Sequence, residues 1–291
     1  MALSTQHNDD FINFWNNVLV DKFERFRNIL MDGMSYHSDT PLKDLALPPA
    51  ARVLDVGCGW GDTALALAKK VGAGGRVTGL DCCDGFLEKG RQDARRDEIT
   101  NIEFIAADVQ TYPFEPVYDL CFSRFGMMFF SNPVAAMKNI YRALKPGGEL
   151  LFITWRTLEE NPWLSAGKNT VLDFLPPPGE NAQVCGPGPF SMSDPDLVTR
   201  QLQAAGYTDI RVEPMDGPVM VGRDIAQAID FQLAIGPAGE IYREAGELAN
   251  RRRPIIEHAL EASLGKYSDD TGRIIMDSAS WCFRAHRPGQ V

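Results

Sequence analysis

Residues 53–62 read Val-Leu-Asp-Val-Gly-Cys-Gly-Trp-Gly-Asp. The first four have the length and mostly apolar character of a strand buried in a parallel sheet. Gly57, Gly59 and Gly61 then permit a sharp turn and a close backbone approach to a ligand, where a Cβ would clash. Thr63-Ala64-Leu65-Ala66-Leu67-Ala68 starts a helix at once. Such a turn aims backbone N–H groups at whatever binds there, the arrangement of an open α/β nucleotide-binding sheet.

Glycine spacing alone also suits a nicotinamide or flavin site, whose fingerprint is Gly-x-Gly-x-x-Gly. Here the position matching that third glycine is Asp62. A carboxylate at a helix N-terminus repels a pyrophosphate and suits a ligand bearing an amine or sulfonium cation. The expectation is therefore S-adenosyl-L-methionine (SAM), with S-adenosyl-L-homocysteine as its product. An NAD-dependent Rossmann oxidoreductase is the alternative, disfavoured by Asp62 and by the lack of a second dinucleotide half.

Three more strand ends follow. Residues 76–80 read as a second strand with Asp81 at its carboxyl end, placed to accept from both ribose hydroxyls. Asp84 is better placed to cap the next helix. A third strand, 102–106, ends in Ala107-Asp108-Val109-Gln110, where Asp108 can accept from the adenine amino group while the next N–H donates to the ring. The fourth, 118–122, leads into Ser123-Arg124-Phe125-Gly126-Met127-Met128-Phe129-Phe130. Ser123 and Arg124 should face the cofactor or the reacting centre, and Met127 to Phe130 should be core with one or two members lining a pocket. Asn132-Pro133 starts a helix that stops at Lys145-Pro146-Gly147-Gly148, before a fifth strand at 149–155.

Together these segments resemble the class I SAM-dependent methyltransferases, in the broad type 11-like group related to ubiquinone and menaquinone biosynthesis. The matching residues lie within 45–156. The resemblance implies a Rossmann-like α/β fold, with a mixed seven-stranded sheet, helices on both faces and a helical cap. It implies cofactor contacts from Asp55, Gly57, Cys58, Gly59, Gly61, Asp62, Asp81, Cys82, Ala107, Asp108, Val109, Ser123 and Arg124. The quinone enzymes carry Glu-x-Ser after the Lys-Pro-Gly-Gly strand, whereas this chain has Thr154-Trp155-Arg156.

The rest of the chain of 291 residues should build the substrate side. Residues 1–44 form an N-terminal helical segment with Phe11, Trp15, Val18, Leu19, Phe23, Phe26 and Leu30 along one face. Residues 157–222 hold a covering loop rich in proline and glycine, a helix and a sixth strand. Residues 223–270 are an inserted helical cap, and 271–291 carry the last strand, at 275–285. Arg251-Arg252-Arg253 reads as a solvated helix start. The net charge of −10 argues against nucleic acid. No apolar stretch reaches the ~18 residues of a spanning helix, and the first seven residues lack a leader's pattern. A cytoplasmic monomer or homodimer with reduced thiols is expected, with no metal: six cysteines show no Cys-x-x-Cys spacing and four histidines are scattered.

Methyl transfer from a sulfonium is an in-line displacement, helped by alignment and by excluding water. The acceptor is expected to be a small, largely apolar molecule, lined by Trp15, Tyr36, Met127, Met128, Trp155 and Trp163, with oxygen slightly favoured over nitrogen, carbon or sulfur as the acceptor atom. A hydroxyl acceptor needs a base, and His37 is the candidate. A SAM-binding protein without methyl transfer is the remaining alternative.

Overall fold

The computed structural model describes residues 6–179 and 186–289. Cys185 and the first five residues, part of the segment read above for a leader, lie outside the described residues. Seven strands form one sheet in the order β3-β2-β1-β4-β5-β7-β6: β1 Arg52–Val56, β2 Arg76–Asp81, β3 Ile102–Ala106, β4 Tyr118–Arg124, β5 Leu144–Trp155, β6 Thr208–Gly222 and β7 Ile274–His286. The first five are parallel, and β7 runs antiparallel to both β5 and β6. Strands covered on both faces need apolar side chains on both. Accordingly Val53, Leu54 and Val56 in β1, and Phe122 and Phe152 in β4 and β5, are wholly buried.

The strand order reverses between β1 and β4, which opens a crevice beyond their carboxyl ends. Helix Asp62–Val71 follows β1 and helix Asp84–Arg96 follows β2, so the turns after these strands all point toward that crevice. Local chemistry sets the boundaries. Asn132 accepts from Ala135 N–H ahead of helix Pro133–Ala143, and Asp194 accepts from Asp196 and Leu197 N–H ahead of helix Pro195–Ala205. Each cap is followed by a proline at the first helical position, where a missing N–H costs nothing. Lys145-Pro146-Gly147-Gly148 does not separate helix from strand as expected. It lies within β5, whose register against β4 shifts between Tyr118 and Leu120.

Three attachments cover the crevice. The N-terminal segment is not one helix: Gln6–Phe14, a π turn Trp15–Leu19, Val20–Arg25, Arg27–Gly33 and Tyr36–Lys43 succeed one another. Its aromatic residues reach different parts of the core, Trp15 packing edge-on to Phe129 at 5.1 Å, Phe23 tilted on Phe86 at 6.4 Å and Phe26 edge-on to Phe231 at 5.5 Å. After β5 comes helix Pro162–Leu172, and between β6 and β7 come helices Ile225–Gln232, Gly236–Ala245 and Glu247–Leu264. Arg251-Arg252-Arg253 sits inside the last of these rather than at its start. Arg253 pairs with Asp230 and Glu257, and Arg252 donates to the Phe174 carbonyl. Among the described residues no helix is long and apolar enough to cross a membrane.

Candidate active site

A cavity of about 310 Å³ runs from the glycine turn after β1 to the covering helices, within the size range of small-molecule sites. Gly57, Cys58, Gly59, Asp62, Asp81, Cys82, Ala107, Asp108, Val109 and Arg124 all line it, so four successive strand ends converge as the sequence implied. Gly59 has φ +54°, and a Cβ built on it meets no protein atom within 4 Å. The space beside it is open to the cavity. Gly61, also at positive φ, is absent from the wall: its missing Cβ makes room for the Phe104 ring, 2.5 Å from where that atom would stand. Its glycine serves packing.

Three of the cavity carboxylates, Asp81, Asp108 and Asp62, are held by named donors. Asp81 accepts from Gly59 N–H at 2.8 Å and Cys83 N–H at 2.9 Å, which ties the first strand end to the second. Burial pushes its pKa up. Asp108 accepts from Gln110 N–H at 2.9 Å and from the Asn8 amide. Asn8 thus fastens the first helix over the third strand end, and Asn16 donates to the Cys82 carbonyl beside it. Asp62 does not stand ready for a cation alone. It pairs with Arg124 at 2.8 Å, and Arg124 donates onward to Ser38. Asp55 lies beneath the turn, fully buried and off the wall. Burial raises its pKa to about 7, although the Thr63 hydroxyl donates to Oδ2 at 2.5 Å; Oδ1 has no partner among the described residues.

Asp81, Cys82 and Cys83 offer ligand atoms within 4.8 Å of one another. This trio does not suit a metal. Both Asp81 oxygens already accept from backbone N–H groups, and the contact with Cys82 together with burial pushes the Cys83 thiol far up, which disfavours its thiolate.

Two assigned residues turn out to be structural. Ser123, fully buried, donates to the Val56 carbonyl at 2.7 Å, and Met127 is packed wholly in the core. Tyr36 lies at the exposed outer edge, its ring against Gly217 of β6. The far side of the cavity is aromatic, and the expected Trp15, Met128, Trp155 and Trp163 all line it: Trp155 stacks on Phe125 at 3.7 Å and 14°, Trp163 lies 5.1 Å from Trp155, and Phe129 and Phe130 stand with them. Phe125 adopts φ +61°, a strained conformation for a side-chain-bearing residue that its surroundings must hold in place. No sequence signal marked it.

His37 is not a base facing this cavity. It is fully buried, with Nε2 2.7 Å from the Ser278 hydroxyl, Nδ1 3.0 Å from the Ser280 hydroxyl, and the Phe125 and Trp155 rings edge-on to it. It buttresses the Phe125–Trp155 stack from behind. Burial, then the Arg124 charge, hold its pKa at about 3. Unfolded, the imidazole takes a proton near pH 6.5; folded, it stays neutral until far lower pH. Over that window the unfolded chain binds more protons, so stability falls as pH falls, by about 1.4 kcal/mol per pH unit from this group. His37→Asn is expected to lose that slope between pH ~6.5 and ~4 in urea unfolding. An unchanged slope would mean that His37 titrates freely in the folded protein.

Residues 53–148 match the family model described as "Methyltransferase domain", and that stretch contains β1 to β4 with every strand end described above. This domain, on a Rossmann-like fold of the class I type, makes the chain a SAM-dependent methyltransferase. Its cofactor is SAM, and the site fits it: an open space at Gly59 and the carboxylates of Asp81 and Asp108 at successive strand ends on one cavity wall. This methyltransferase is similar to the demethylmenaquinone methyltransferase of Staphylococcus haemolyticus, with 27% identity over 208 residues, covering 68% of this chain and 86% of that one. Its fold resembles phosphoethanolamine N-methyltransferase 2 of Haemonchus contortus, solved with phosphomonomethylethanolamine and S-adenosylhomocysteine, with TM-score 0.58 and 19% identity over 96% of this chain and 61% of that one. The [4+2]-cyclase SpnF is also similar in fold, with TM-score 0.52 and 19% identity over 87% of this chain and 80% of that one.

Proposed function

We propose that this methyltransferase acts on a small, largely apolar molecule with a phenol-type ring. The observation that carries the reading is one continuous cavity joining the glycine turn to the Phe125–Trp155 stack. In it, Asp81 receives the ribose hydroxyls, Asp108 and the Val109 N–H meet the adenine, and the turn from Gly57 to Gly59 lies along the amino-acid portion. SAM supplies an electrophilic methyl group on a sulfonium. The protein's part is to exclude water and to align the acceptor with that methyl. The N-terminal helices and helix Gly236–Ala245 do the enclosing.

With His37 removed from the cavity, the described wall offers no imidazole. The acceptor best suited to such a site ionises by its own acidity, as a phenol or quinol does, and reacts through oxygen or an activated ring carbon. The similarity to enzymes named for demethylmenaquinone supports a quinone-type ring. Where the quinone enzymes carry Glu-x-Ser, Thr154 here is buried and donates to the Met192 carbonyl, while Trp155 faces the cavity. The acidic position is thus taken by a buried hydroxyl, beside an aromatic residue on the wall. Both the enclosed site and the net charge of −10 speak against nucleic acid.

Incubation with SAM and a panel of phenols, quinols, tRNA and protein should yield S-adenosylhomocysteine and a methylated small molecule, read by mass spectrometry. Trp155→Ala should lower turnover at least ~10-fold through lost alignment while leaving SAM affinity nearly unchanged. Methylated tRNA or protein as the product would overturn the reading. SAM binding with no transfer to any acceptor would favour a SAM-binding role without methyl transfer.

A further inference from the structure

We propose that the methyl acceptor carries an anionic group, such as a carboxylate, on its otherwise apolar body, and that Lys22, with Arg243 beside it, receives that group. The inference rests on the reading of the aromatic half of the cavity as the acceptor site. Lys22 comes from helix Val20–Arg25 and Glu240 and Arg243 from helix Gly236–Ala245, and all three line the same cavity as Trp15 and Trp163. Two covering elements that are far apart in sequence thus place two cations on one wall.

Of the charged residues from these two helices on that wall, two are cations and one, Glu240, is a carboxylate. Among the described residues Lys22 makes no hydrogen bond or ion pair, and burial, then the charge of Arg243, push its pKa down against the weaker pull of Glu240. Arg243 pairs with Glu244 at 2.7 Å and lies 5.4 Å from the centre of the Phe14 ring. Glu240 is the carboxylate nearest in kind to a counter-ion, yet burial pushes its pKa up and so disfavours its anionic form. The remaining cavity carboxylates are committed elsewhere: Asp62 to Arg124, Asp81 to Gly59 and Cys83, and Asp108 to Asn8 and Gln110.

The occupant that suits this arrangement follows from charge. A wholly apolar ligand would strip water from the Lys22 ammonium and leave its N–H donors unpaired, which is costly. A cationic ligand would add a third positive charge. An anion supplies lone pairs to Lys22 and relieves its repulsion from Arg243, with charge-assisted hydrogen bonds in a partly desolvated site.

The test uses the full chain saturated with S-adenosylhomocysteine and three probes of one shape: 2-naphthoate, 2-naphthalenemethanol and 2-naphthylmethylammonium. Calorimetry should give the carboxylate about 10- to 100-fold tighter binding than the alcohol, with the ammonium weakest. Lys22→Met should abolish the carboxylate's advantage while binding the alcohol as the parent does, which also reports that the variant is folded. The inference fails if the alcohol binds and the carboxylate is no tighter, if Lys22→Met keeps the advantage, or if the ammonium binds best, with Glu240 then the anchor. If none of the three binds, the acceptor-site reading itself fails and takes the anion with it.

Discussion

Gly59→Ala is expected to lose SAM affinity by at least ~100-fold, about 2.7 kcal/mol, with its fold intact. Two effects have to be separated. An L-residue at φ +54° is strained by about 1–2 kcal/mol, which lowers stability whether or not a ligand is present. The added methyl also enters space that no protein atom occupies within 4 Å, on the wall proposed here for the cofactor. Gly72→Ala is the control. Gly72, after helix Asp62–Val71, has φ +67° and equally open surroundings, yet lies off the cavity. Both variants should melt earlier than the parent, and only Gly59→Ala should fail in SAM calorimetry. Equal affinities for the two would show that the turn after β1 does not touch the cofactor.

The strand-end residues read from the sequence converge on one cavity because that half of it is built from backbone. Strand ends carry short, regular signals: an apolar run, a glycine turn, then an acidic residue. The topology then places Asp81, Asp108 and Arg124 beside Gly59 without further instruction. What sequence hid is what the side chains do once there. Asp62 reads as a lone carboxylate because Arg124, its partner, lies 62 positions away. Ser123 and Gly61 read as ligand contacts, yet one pins the Val56 carbonyl and the other admits Phe104. His37 was misplaced for a similar reason. Its partners Ser278 and Ser280 sit on β7, more than two hundred residues on, and no local pattern tells a buried imidazole from an exposed one. The acceptor half is harder again. Lys22, Glu240, Phe125 and Trp163 meet only after the N-terminal segment and the insertion between β6 and β7 have folded over the sheet.

Asp81→Ala carries the second large effect, because this carboxylate has two tasks. It holds the N–H groups of Gly59 and Cys83, and so fixes the glycine turn against the end of β2. Under the proposed cofactor placement, its remaining lone pairs accept from both ribose hydroxyls. Losing a charged acceptor to those hydroxyls while freeing the turn should cost about 3–4 kcal/mol, or roughly 100- to 1,000-fold in SAM affinity. Asp81→Asn keeps the shape and one acceptor oxygen, and should fall between the parent and the alanine variant. The pH dependence gives an independent reading. Burial pushes the Asp81 pKa up, while hydroxyl donors favour its ionised form. Parent affinity should therefore weaken as pH falls into the range of that raised carboxyl, and the alanine variant should lack that dependence. NAD should give no heat with either protein. Parent-like SAM binding by Asp81→Ala would remove the ribose assignment, and tight NAD binding lost in the same variant would assign this strand end to a dinucleotide instead.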